Sequence, residues 1–96
     1  MKAYLVANIR ILDAEGFKAY PSMSGPTVER FGGRYLARGG QAMRLEGISR
    51  PERVAVLEFP SYEQAQRWWS SQEYHAARQL RQEFAATDMI LVEGIE

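Results

Sequence analysis

Apolar side chains fill every second position at Ala3, Leu5, Ala7, Ile9 and Ile11, while Tyr4, Val6, Asn8 and Arg10 stand between them. That period of two predicts a strand over Lys2–Leu12, apolar on one face and mixed on the other. Asp13 is placed to cap a following helix. Phe17, Tyr20, Ser24, Val28 and Phe31 then recur at steps of three and four, the spacing of one helical face. Pro21 and Pro26 fall inside this stretch and each removes a backbone donor. A kink is therefore expected, or two short helices with Pro26 in the first turn of the second. Gly32-Gly33 ends the helical stretch.

A second strand is expected over Arg34–Leu45, bent or bulged at Gly39-Gly40, and Gly47–Pro51 reads as a hairpin loop. Val54–Phe59 is apolar throughout except for Glu58, as in a central strand buried on both faces. Pro60 stops it, and Ser61 caps the next helix with Gln64 at the capping-box position. Ser70 and Glu73 repeat a similar spacing nine residues later, which predicts a break and a restart. Tyr74, Ala77, Leu80 and Phe84 then form the apolar stripe of the second piece. Met89–Val92 makes a last short strand.

The order β-α-β-β-α-β predicts an α+β fold in one domain spanning residues 1–96. It is a ferredoxin-like sandwich with a four-stranded antiparallel sheet and two helices on one face. The first and third strands then lie in the middle of the sheet. The third is apolar on both sides, with Ala55, Leu57 and Phe59 on one and Val54 and Val56 on the other. Helices cover one side only, and an uncovered apolar face marks an interaction surface. A second copy of the same sheet is the simplest cover, so a homodimer through the open sheet face is expected. A chain of this length buries only about 60–65% of its unfolded surface. At roughly 25 cal/mol per Å² of apolar area, pairing the sheets would add several kcal/mol.

Composition narrows the function. Twelve basic and twelve acidic residues cancel, so the broad positive field needed for nucleic acid or an anionic membrane is missing. RNA-recognition motifs share this element order, but they place base-stacking aromatics on the third strand. Here that strand offers Val54, Ala55, Val56 and Leu57, with only Phe59 near its end. Cysteine is absent, which excludes disulfides, thiolate nucleophiles and cysteine metal sites. No apolar run approaches the roughly 18 residues of a membrane span. The first apolar stretch, carrying Asn8 and Arg10, is too short for a signal-peptide core. A cytoplasmic location is expected.

Candidate chemistry is sparse. His75 is the only histidine and sits off the apolar stripe, so neither a metal site nor a bound cofactor is expected. Glu58 is more informative, because an unpaired carboxylate in so apolar a strand would lose hydration or become protonated. Arg38 on the neighbouring strand is its expected partner, with Arg34 on the same face of that strand. Such a group is either a structural ion pair or the polar anchor of a pocket, with Arg38 holding an anionic group. Trp68 and Trp69 diverge by about 100° on a helix, so one packs on the sheet and the other lines a cavity or a rim. Asn8 interrupts the mixed face of the first strand, where it either orients a ligand or satisfies backbone groups.

Three stretches carry a family resemblance: Gly32-Gly33-Arg34-Tyr35-Leu36-Ala37-Arg38-Gly39-Gly40, the run from Arg50-Pro51-Glu52 to Phe59-Pro60-Ser61, and Trp68-Trp69-Ser70-Ser71-Gln72-Glu73-Tyr74 with Arg78 and Arg81. Together they resemble the short bacterial family called domain of unknown function thirteen-thirty. That family is part of the dimeric α/β barrel superfamily, in which two ferredoxin-like sheets face each other, so the resemblance also implies a homodimer. It implies no activity. Other members of the superfamily include cofactor-free monooxygenases, lactone isomerases, heme enzymes and stress-responsive proteins.

Two functions stay open at this point. One is a pocket between sheet and helices for a small anionic or aromatic metabolite, lined by Asn8, Arg34, Arg38, Glu58 and one of Trp68 and Trp69, with cofactor-free oxygenase or isomerase chemistry. The other is a non-catalytic dimeric module, regulatory or stress-related, whose polar residues only stabilise the interface.

Overall fold

In the computed structural model, which describes residues 1–95, the chain runs β1 (Ala3–Ile11), α1 (Ala14–Phe17), α2 (Tyr20–Arg30), β2 (Arg34–Arg38), β3 (Arg53–Phe59), α3 (Tyr62–Ser70), α4 (Gln72–Phe84) and β4 (Ala85–Glu93). All strand pairs are antiparallel, in the order β2-β3-β1-β4. This is the expected ferredoxin-like sandwich with β1 and β3 in the centre. The alternating residues of β1 split as their pattern predicts. Leu5, Ala7 and Ile9 are buried with Ala55, Leu57 and Phe59 of β3 beneath the helices. Phe17, Val28, Ala65, Trp68, Tyr74 and Ala77 descend from the helical layer onto them. Gly33 lets α2 and β3 close up, since a Cβ there would sit 2.7 Å from the Phe59 ring and 2.9 Å from Val28.

Among the described residues no helix covers the other face of the sheet. Tyr4 and Val6 of β1 and Val54 and Val56 of β3 are half-buried, while Ile90 and Val92 of β4 are 65% and 50% exposed.

The local differences have physical causes. The first helix does divide, but at Lys18–Ala19, and Pro21 rather than Pro26 occupies the first turn of the second piece. Pro26 lies within α2 on its exposed side, where solvent can reach the carbonyl it leaves free. The second strand stops at Arg38 instead of Leu45. Gly39 takes φ +71° and donates its N–H to the Val54 carbonyl at 2.9 Å, turning the chain off the sheet edge. Residues 39–52 are therefore irregular, a longer excursion than a Gly47–Pro51 hairpin loop.

The bulge in this strand is at Leu36, between Tyr35 opposite Leu57 and Ala37 opposite Val56. It reverses the alternation. Arg34 points to the open face with Glu58, and Arg38 points to the helical side with Ala55, so the two arginines do not share a face. The long helix breaks where expected, but Ser71 is the cap. Its Oγ accepts from the Tyr74 N–H at 3.1 Å and donates to the Trp68 carbonyl at 2.8 Å. β4 begins directly after α4, because β1 offers partners along its whole length to Ala85–Glu93.

Candidate functional site

Between sheet and helices lies a small, mainly apolar cavity of about 30 Å³. Leu5, Ala7 and Ile9 of β1 with Ala55 and Leu57 of β3 form its floor, and Met89 of β4 and Tyr35 of β2 close its sides. Tyr20 of α2 and Trp68 of α3 form its roof. This volume holds about one or two water molecules. Tyr35 also walls a groove of about 310 Å³ between α2 and β2, so its ring is the partition between cavity and solvent. Arg38 lies over that ring, with Cζ 4.3 Å from the centroid.

The polar groups at the roof form a chain. Arg81 of α4 is 5% exposed, and its Nε donates to the Tyr74 hydroxyl at 3.4 Å. The Tyr74 hydroxyl lies 2.6 Å from that of Tyr20. Among the described residues no carboxylate lies within ion-pair distance of Arg81, since both ion pairs belong to Glu58. Burial, then the neighbouring Tyr74 oxygen, holds the Tyr20 phenol far above its ordinary value, with Arg81 opposing in part. Tyr20 therefore stays protonated and does not act as a base near neutrality. Trp68 is fixed separately. Its Nε1 donates to Thr27 Oγ1 at 3.0 Å, and its ring packs between Phe59 and Tyr74 at centroid distances of 5.3 and 4.1 Å. It offers the cavity a ring face and no free donor.

Of the residues singled out in the sequence, Trp68 alone lines this cavity. Arg34 and Arg38 flank the outer groove on the far side of Tyr35. The expected Arg38–Glu58 pair does not form. The bulge at Leu36 turns Arg38 away, and Glu58 is held instead by Arg34 Nε at 2.7 Å and Lys2 Nζ at 3.5 Å. The hydrogen bond from Arg34 is the main reason that its carboxyl lies below the ordinary value. Glu58 is thus enclosed by its neighbours' side chains on the open face of the sheet, away from the cavity. Asn8 is on that face too, and its amide is committed to the backbone. Nδ2 donates to the Arg50 carbonyl at 2.8 Å and Oδ1 accepts from the Glu52 N–H at 3.0 Å. Trp69 is 42% exposed under Arg78, which also meets His75 Nδ1 at 3.2 Å.

The residues that sequence reasoning passed over are Tyr20, Tyr74 and Arg81. The two tyrosines fit an apolar stripe, which hides the fact that a buried phenol needs a partner. Arg81 did carry a signal: it stands seven residues after Tyr74, on the same helical face.

A family model described as Domain of unknown function (DUF1330) matches residues 2–95. The chain belongs to this family. No protein of curated function matches it in sequence. Among solved structures it is similar to RPA0582, a protein of unknown function from Rhodopseudomonas palustris, with a TM-score of 0.79 and 23% identity over 99% of this chain and 83% of that one. It is also similar to SnoaB, a cofactor-independent oxygenase from Streptomyces nogalater, with a TM-score of 0.67 and 7% identity over 99% and 94% of the two chains. A putative antibiotic biosynthesis monooxygenase from Caulobacter crescentus gives 0.68 and 13%, over 99% and 91%. At such identities these likenesses show the fold alone, a ferredoxin-like α+β sandwich, and no activity.

Proposed function

We propose that the cavity binds a small flat metabolite bearing an ionisable oxygen, of the phenol or enol class, in a homodimer closed through the open faces of two sheets. The observation that carries this reading is the chain from Arg81 through Tyr74 to Tyr20 at the roof of an apolar cavity. Arg81 can only donate. If Tyr74 accepts from Arg81 and donates to Tyr20, the Tyr20 O–H is left free to point at the ligand. A donor backed by a buried cation stabilises an oxygen that carries or develops negative charge. No carboxylate or histidine lines the cavity, so the ligand's own acidity supplies that anion. Cofactor-independent oxygenation or isomerisation of such an anion is the chemistry we assign, in keeping with the fold's oxygenase neighbours. A cysteine-free chain suits the reducing cytoplasm, where we place it. A ring-sized ligand enters by displacing Tyr35 toward the outer groove.

One observation favours a non-catalytic dimeric module instead: at about 30 Å³ the cavity is no larger than a water site as it stands. The two readings separate in a Trp69→Phe background, where Trp68 is the only tryptophan. Titration with catechol and 1-naphthol should give a saturable change in Trp68 fluorescence that Tyr20→Phe weakens about tenfold or more, the loss of one hydrogen bond to a charged group. Oxygen uptake with turnover would mark oxygenation, with dioxygen as the oxidant, and turnover without uptake would mark isomerisation. If neither phenol perturbs Trp68, the module reading stands.

A further inference from the structure

Residues 39–52 touch little of their own chain. Every residue from Gly39 to Arg50 is exposed, and Met43, Leu45 and Ile48 are exposed by 77, 86 and 93%. Yet the segment is pinned at both ends. Gly39 is bonded to the Val54 carbonyl, and Asn8 clamps the main chain at Arg50 and Glu52. Asn8 stands on the open face in line with Val6, so the returning limb is anchored to the uncovered side of the sheet. Ile48 and Arg50 there face Arg10 and Asp88 across a notch of about 490 Å³.

We infer that residues 39–52 form an arm that reaches over a second copy of this chain, seating Met43, Leu45 and Ile48 against the partner. This rests on the homodimer proposed above and extends it to a part of the chain which the sheet does not use. Two observations favour a second copy over another partner. The arm springs from the open face itself, so a sheet covering that face lies beside it. Its charges are two arginines and two glutamates, Arg44, Glu46, Arg50 and Glu52, in a chain with no net charge. A surface balanced in this way complements its own copy about a two-fold axis, where a strongly charged partner would find no matching field.

The test compares the wild-type chain with Met43→Ser/Leu45→Ser/Ile48→Ser by sedimentation velocity from nanomolar to micromolar concentration, with circular dichroism as the fold control. The three side chains are almost wholly exposed in the monomer, so the variant should fold. The expected result is a wild-type dimer and a variant whose dimer dissociates about a hundredfold more readily, as follows from removing apolar anchors at an interface. A wild-type dimer with an equally tight variant overturns the arm and leaves the open-face dimer intact. A wild-type monomer throughout overturns both. As a second measurement, a nitroxide on Leu45→Cys, the sole cysteine in such a chain, should be immobilised in the dimer. Free motion in a dimer of wild-type affinity also overturns the arm.

Discussion

Arg81→Met should make the protein more stable while weakening ligand binding. A buried guanidinium loses several kcal/mol of hydration, and Arg81 is 5% exposed. Against that loss the structure sets one hydrogen bond, from Nε to the neutral Tyr74 oxygen at 3.4 Å. That length is beyond the ordinary range, so the bond returns at most about 1 kcal/mol. Methionine fills the space of the stem without the charge, and Tyr74 keeps its partner in Tyr20. Replacing buried ions by apolar groups of similar volume stabilises by about 1–4 kcal/mol where the geometry is poor. Because Arg81 retains some solvent, the low end applies, about 1 kcal/mol. For a domain of this size that raises Tm by roughly 4–8 °C. Thermal and urea denaturation at one fixed protein concentration would measure it, since dimerisation makes Tm depend on concentration. The Trp68 fluorescence titration on the same variant reports binding. A variant destabilised by more than about 1 kcal/mol would refute the reasoning, because Arg81 would then be a structural tie.

Three other consequences are open to measurement. Gly33→Ala would force a Cβ to within 2.7 Å of Phe59 and 2.9 Å of Val28, and urea denaturation should show a loss of about 1–3 kcal/mol. Glu58 has a folded-state pKa below its ordinary value of 4.5. Its ionised form therefore contributes stability that is fully present above about that pH and is lost as pH falls through the lower folded value. The stability difference between wild type and Glu58→Gln should shrink on acidification below pH 4.5, and a difference that is flat or grows would contradict the Arg34 and Lys2 assignment. Asn8→Ala should speed hydrogen exchange at the Glu52 amide, which donates to the side-chain Oδ1 of Asn8, while amides of β3 from Val54 onward keep their protection.

The element order and the two central strands were legible because β1 and β3 have simple patterns: alternation in one, an apolar run in the other. Glu58 stood out correctly as a carboxylate that must be paired. Its partner could not be read, because the register of an edge strand depends on where a bulge falls. The glycines at 39 and 40 drew the expectation there, whereas the chain bulges at Leu36 and carries Arg38 to the other face. β4 shows the same limit: Ala85–Asp88 have little strand character of their own, and β1 templates them. Asn8 gave two readings, and its amide bonds the backbone through contacts across more than forty residues of sequence. At the cavity, the pattern marked Tyr20 and Tyr74 as packing residues. Their hydroxyls acquire meaning only when α2 and α4 are brought together, which no local spacing states.

Native mass spectrometry on gently purified protein tests the central claim most directly. The expected result is a dimer that carries a reproducible small-molecule mass, exchanges it for added 1-naphthol, and holds both about tenfold or more weakly in the Tyr20→Phe variant. A bare dimer that takes up no 1-naphthol would contradict the binding cavity, and a monomer would contradict the paired sheets as well.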